Sequence, residues 1–181
     1  DYYWGATVYE KGACVMHMLR MILGDSAFFS ALREYGQEHA FATAVTPDWQ
    51  AKLEEHYGGS LDWFFQPWGY GTRFPRYRVV LQPADTTVMR IDQIQTTPTR
   101  FRMPIDVRVV TASNDTAEFT VWNEAVASQS YILFPNDSLG LPGIPMTVEI
   151  DPYDKILKTA VYQYLNAGEP VTLPPSSFRL S

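Results

Sequence analysis

Zinc chemistry on a helix asks for two imidazoles one turn apart, because His at i and i+4 share a face. The three histidines, His17, His39 and His56, do not have that spacing, and none stands in H-E-x-x-H. His17 lies inside an apolar helical run and reads as a packed or surface imidazole. His39 and His56 fall near predicted helix C-termini, where the dipole favours a cation. Among the carboxylates, Glu10, Glu54 and Glu55 have no second acid at a helical spacing that makes a catalytic pair, and Glu54-Glu55 reads as a solvated helix face. G-x-S-x-G, the P-loop and G-x-G-x-x-G are absent, and Gly69-Tyr70-Gly71 reads as a linker rather than a nucleotide site. The single cysteine, Cys14, excludes an intrachain disulfide and reads as a small hydrophobe in its helix. Asn114-Asp115-Thr116 and Asn136-Asp137-Ser138 match the glycosylation acceptor, with turn chemistry the better reading of each.

The elements that position these groups are helical first. Val15, Leu19 and Ile22, with Met16 and Leu23 beside them, follow the i, i+4, i+7 pattern and predict a largely buried amphipathic helix over Val8 to Leu23. Gly24 suits the left-handed position after its end, and Asp25 suits the N-cap of a second helix bearing Phe28, Phe29, Leu32 and Tyr35. So short a loop makes the two helices antiparallel neighbours. Thr46-Pro47-Asp48 starts a third helix with a hydroxyl cap, a Pro at N1 and an acid in the first turn. It carries Trp49, Leu53 and Tyr57 and stops at Gly58-Gly59. Ser60 caps a fourth, with Trp63, Phe64, Phe65 and Trp68, too apolar to stand alone.

Gly69 to Pro75 punctuates a domain boundary, and beyond it the period becomes two. Phe101, Met103, Ile105, Val107 and Val109 alternate with polar residues and Pro104 in the clearest strand, where Pro104 marks an edge or a bulge. Further strands are expected at Tyr77 to Leu81, Val88 to Ile94, Ala117 to Asn123, Tyr131 to Phe134 and Met146 to Ile150, with turns at Asn114-Asp115 and Asp151-Pro152. Short strands at this spacing predict an antiparallel sandwich. After Ala160 the chain reads as a tail or linker.

Hydrophobic residues make up 46% of the 181, enough for a real core. A formal net charge of −6 without a basic stripe argues against nucleic-acid binding. No stretch reaches the ~20 apolar residues of a membrane span. The opening Asp1-Tyr2-Tyr3-Trp4 is unusually aromatic for a terminus and reads as an edge cut inside a folded region.

Taken together, the ordered pieces resemble the aminopeptidase N family, zinc metallopeptidases related to thermolysin (gluzincins). The resemblance is carried by Val8-Tyr9-Glu10-Lys11-Gly12-Ala13, Met18-Leu19-Arg20, Leu23-Gly24-Asp25, Phe28 to Tyr35, Thr46-Pro47-Asp48, Leu61 to Trp68 and Pro75-Arg76-Tyr77. It implies a fold that is helical and then β. Residues 1–73 would be the truncated helical end of the catalytic domain. Residues 74–160 would be an immunoglobulin- or fibronectin-like β-sandwich, and residues 161–181 a tail or linker. It also implies that Tyr9 points its phenol at the scissile carbonyl, with Glu10, Lys11 and Gly12 positioning the helix start. A phenol keeps its proton at neutral pH and can donate to the oxyanion that develops beside zinc.

The family's zinc ligands and general-base Glu precede this motif and are not in the chain. The resemblance therefore implies zinc and a peptide substrate for the parent protein, a missing N-terminal catalytic segment as partner, and no activity for this chain alone. An alternative is a non-catalytic binding or scaffold module of a metal-less relative, engaging protein or carbohydrate through exposed aromatics such as Trp122. The final Ser177 to Ser181 resembles the linker before sorting domains of secreted bacterial proteins, which implies a secreted or cell-surface location.

Overall fold

The computed structural model describes residues 9–83, 87–133, 143–166 and 177–179. They divide into two units. The first is helical and runs to Arg73, together with Lys155–Leu157; the second holds the strands, from Phe74 to Asp154 and from Lys158 on.

In the helical unit, α1 (Lys11–Leu23) and α2 (Asp25–Glu38) are joined by Gly24 alone. Its φ of 77° is the left-handed value expected, but ψ is 161°, so the chain swings straight into the next helix. Asp25 is therefore the first residue of α2 rather than its cap, and its carboxylate accepts from the Arg20 guanidinium at 2.7 and 2.8 Å. Helix α3 (Thr46–Tyr57) is also capped differently from expectation. Thr46 is already helical, and the Asp48 carboxylate accepts the Val45 N–H at 2.9 Å. An ionised acid at N3 satisfies an orphan donor and meets the positive end of the dipole at once. Gly58, with φ 77° and ψ 25°, ends α3 in the left-handed conformation.

A short α4 (Asp62–Phe64) runs into a π-helix, Phe65–Tyr70, and the Ser60 hydroxyl accepts the Asp62 N–H. Phe64, Phe65 and Trp68 of this segment are buried, with the Phe64 and Trp68 rings stacked. Helix α1 is less enclosed than its pattern predicts. Met18 and Leu19 are buried, while Val15, Met16, Ile22 and Leu23 stay half-buried. Three helices and a short fourth supply too little surface to cover so wide an apolar face. Of the two acids read as a solvated face, Glu55 is exposed and Glu54 half-buried. Glu54 accepts the Leu61 N–H at 2.8 Å and so holds the loop into α4, and Glu55 accepts from the buried Lys52.

The second unit contains two sheets. One has the order β7-β1-β2-β5-β8 and the other β4-β3-β6. The strands are β1 (Arg76–Gln82), β2 (Thr87–Gln93), β3 (Met103–Thr111), β4 (Thr116–Asn123), β5 (Ser128–Leu133), β6 (Pro145–Ile150), β7 (Thr159–Tyr164) and β8 (Ser177–Arg179). Strand β3 alternates buried and half-buried residues along its whole length, as its period demands. Its partner β6 reaches only from Val107 to Thr111, so Pro104, which cannot donate to a ladder, lies where that side of β3 is unpaired. The β3–β4 turn places Asn114 at φ 66°, which Asn tolerates better than most residues. Phe134 and the second acceptor triplet at Asn136 lie outside the described residues.

Two expectations are corrected here. The first sheet is mixed, because β7 joins β1 in parallel and β8 joins β5 in parallel. The tail assigned to 161–181 contains most of β7 and all of β8. After β6 the chain turns through Asp151 and Asp154, both at φ 50°, and re-enters at the free edge of β1, where the Thr159 N–H reaches the Pro75 carbonyl. A strand that starts beside the start of β1 must run parallel to it.

Candidate functional site

Tyr9 and Glu10 are wound in π geometry immediately ahead of α1. Glu10 takes the N-cap position with helical backbone angles, φ −72° and ψ −50°, and its exposed side chain makes no cap hydrogen bond. Its charge still suits the positive end of the helix. Tyr9 is 66% exposed, so its ring is not spent on packing. A Cβ at Gly12 would meet none of the described residues within 4 Å.

Lys11 behaves differently. It is the first residue of α1, whose first turn holds no acid, and its ammonium donates to the Gly71 carbonyl just past the π-helix. The two residues are 60 apart in sequence, which is why a reading of local pattern took Gly71 for part of a linker. Burial holds the Lys11 ammonium below the usual lysine range. Gly71 is closely confined, since a Cβ there would lie 2.1 Å from the Pro67 carbonyl oxygen. The signal that could have found this contact is a lysine at the one helix end where a cation is disfavoured.

The other groups weighed for chemistry are dispersed. His17 is exposed on α1. His39 ends α2 with its ring 4.7 Å from that of Tyr35. His56 is bonded to Glu34 at 2.9 Å, and Lys52 bridges Glu38 and Glu55 at 2.8 and 2.6 Å, so these groups pin α2 to α3. Those two carboxylates raise the Lys52 pKa. Among the described residues, no three His, Cys, Asp or Glu side chains converge to hold a metal ion. Cys14 is a free, half-buried thiol.

The helical unit also has an apolar groove of about 540 Å³, bounded by Met16 of α1, Leu32 and Tyr35 of α2, and Val45, Thr46 and Trp49 at the start of α3. In the strand unit Trp122 is 40% exposed, but the Arg102 guanidinium lies 4.6 Å from its ring centre and is itself paired with Glu124. No helix among the described residues is long and apolar enough to cross a membrane.

Residues 1–68 match the model of the peptidase family M1 domain. Aminopeptidase N of Lactococcus lactis subsp. lactis is 40% identical over 63 residues, which is 35% of this chain and 7% of that protein. Aminopeptidase M1-B of Oryza sativa subsp. japonica is 33% identical over 87 residues, 48% of this chain and 10% of that protein. The matches thus span a tenth or less of these curated relatives. The crystal structure of Legionella pneumophila aminopeptidase A in complex with aspartic acid superposes with a TM-score of 0.74 over 90% of this chain and 18% of that one. At 14% identity that likeness is one of fold.

Proposed function

We propose that this chain is the helical end of the catalytic domain of a zinc-dependent aminopeptidase, followed by a β-sandwich, on the ground that residues 1–68 match the model of the peptidase family M1 domain. In that reading the parent protein removes N-terminal residues from peptides, and Tyr9 donates its phenolic hydrogen bond to the oxyanion formed on the scissile carbonyl. The observation that carries it is the position of Tyr9, on the turn ahead of α1 with its ring largely in solvent. Preorganised donors of this kind act where charge develops in the transition state. Zinc is assigned to segments of the parent outside this chain, and this chain alone is inactive.

Two features support the remaining parts of the proposal. The apolar groove between α1, α2 and α3 offers a surface for the rest of the catalytic domain. The two sheets read as the layers of a sandwich, because the Gln93 amide of β2 donates to Asn123 of β4 and Tyr131 of β5 donates to the Trp122 carbonyl. We assign the parent to the secreted or cell-surface fraction, which cell fractionation tests.

The direct test is Tyr9→Phe in the full-length protein. We expect kcat to fall about 10²–10³-fold, or ~3–4 kcal/mol of barrier, with bound zinc unchanged. Unchanged kcat would sink the role of Tyr9. The competing reading, a scaffold module of a metal-less relative, draws on the exposed Trp122 face. It gains if the full-length protein has no H-E-x-x-H ahead of Tyr9 and binds no zinc.

A further inference from the structure

Lys11 breaks a local rule. A cation in the first turn opposes the helix dipole, α1 has no acid in its first turn to offset it, and partial burial adds to the cost of the charge. Sites where local preference is violated are where function or strain is expected. Beyond the charge of Glu10 at the N-cap, the compensation is one contact: the Lys11 ammonium meets the backbone carbonyl of Gly71. That carbonyl is itself fixed, because the π-helix from Phe65 to Tyr70 is anchored by the buried Phe65 and Trp68, and Gly71 folds so closely against Pro67 that no side chain fits there.

Helical geometry says what the contact would do. Residues two apart on a helix point to roughly opposite sides. Tyr9 and Lys11 are two apart on one continuous wound segment, with Lys11 turned to the π-helix and Tyr9 largely exposed. We propose that the Lys11–Gly71 contact is a clamp that sets the direction of the Tyr9 phenol, making Lys11 a positioning residue. This rests on the aminopeptidase reading of Tyr9. The clamp holds the start of α1 from one side and leaves the other side free for substrate. Its acceptor is a main-chain carbonyl, so no side chain at Gly71 is needed to form it.

The test uses the full-length protein with five variants: Lys11→Met, Lys11→Arg, Tyr9→Phe, and Lys11→Met and Lys11→Arg each combined with Tyr9→Phe. Kinetics are read on an N-terminal aminoacyl anilide, and amide hydrogen exchange is read at residues 9–14. Lys11→Met should lower kcat roughly 10–100-fold, the scale of a misplaced catalytic group, with KM little changed. It should also speed exchange at the start of α1 while leaving α3 unaffected. Lys11→Arg, which keeps a long donor, should recover part of both. On the Tyr9→Phe background Lys11→Met should cost almost nothing further in kcat, because the clamp acts through the phenol.

Wild-type kcat and exchange in Lys11→Met, with Tyr9→Phe still impaired, overturns the clamp and leaves the role of Tyr9 intact. An equal kcat loss from Lys11→Met on both backgrounds overturns it as well, since Lys11 would then act independently of Tyr9. Full activity in Tyr9→Phe overturns the underlying reading instead. Should Lys11→Met fail to fold, the comparison of Lys11→Arg on the two backgrounds decides the same point.

Discussion

Along β3 the residues Met103, Ile105, Val107 and Val109 are all fully buried, whereas α1, with 13 residues and a comparable share of apolar side chains, buries Met18 and Leu19. The strand unit closes its own core; the helical unit keeps apolar surface in reserve. In the first, the inward side chains of β3 are covered along the whole strand, which pairs with β4 on one side and β6 on the other. In the second, half-buried Val15, Met16, Ile22 and Leu23 have room for further contacts.

Truncations to alanine sharpen this contrast. Ile105→Ala, in the closed core, should cost about 2–5 kcal/mol. Val15→Ala, on the half-covered face of α1, should cost about 1 kcal/mol or less. Urea denaturation followed by exchange at the β3 and α1 amides reads both, and equal costs would erase the distinction between the units.

A smaller effect concerns pH. The Tyr77 hydroxyl is fully buried and has no hydrogen-bond partner among the described residues. Burial, aided by Tyr131 and Asp151, pushes its pKa well above the usual phenol value near 10. Burial also raises Tyr131, against a hydrogen bond from Asn123 that lowers it. For Lys158 burial opposes the charge, but the hydrogen bond and charge of Asp151 more than offset it, and its pKa is raised too. All three shifts have one sign. The folded unit holds these protons more tightly than the unfolded chain, so their stabilisation is complete below pH ~10 and is lost as pH rises past that value. Tyr77→Phe should leave stability at pH 8 within about 1 kcal/mol of the parent, or raise it, since it removes an unpaired buried hydroxyl. Between pH 10 and 11 it should fall less steeply. Parallel curves for the two proteins would exclude Tyr77 as a source of the alkaline loss.

What the sequence made legible was whatever depended on neighbours in the chain. The period of β3, the stop at Gly58 and the start of α3 all follow from residues within one or two turns. Even there the cap was misassigned, because Thr46 and Asp48 compete for one role and the ionised acid prevailed. Long-range contacts were not legible. Strand β7 shows no alternation of burial, being exposed at nearly every residue, and it is held by β1 and by tyrosines. The Tyr162 hydroxyl accepts the Ile150 N–H, and the Tyr164 hydroxyl donates to the Val148 carbonyl. Tyr9 stands out in the sequence through the motif around it, while the Gly71 carbonyl that meets Lys11 does not, since a backbone acceptor leaves no signature in residue type.

The parallel pairing of β7 with β1 also orders events during synthesis. Arg76 pairs with Thr159, so one edge of the first strand has no partner until almost the entire strand unit has left the ribosome. For that interval the nascent chain presents an open template of N–H and C=O groups beside Val79 and Leu81, the kind of edge to which other chains add.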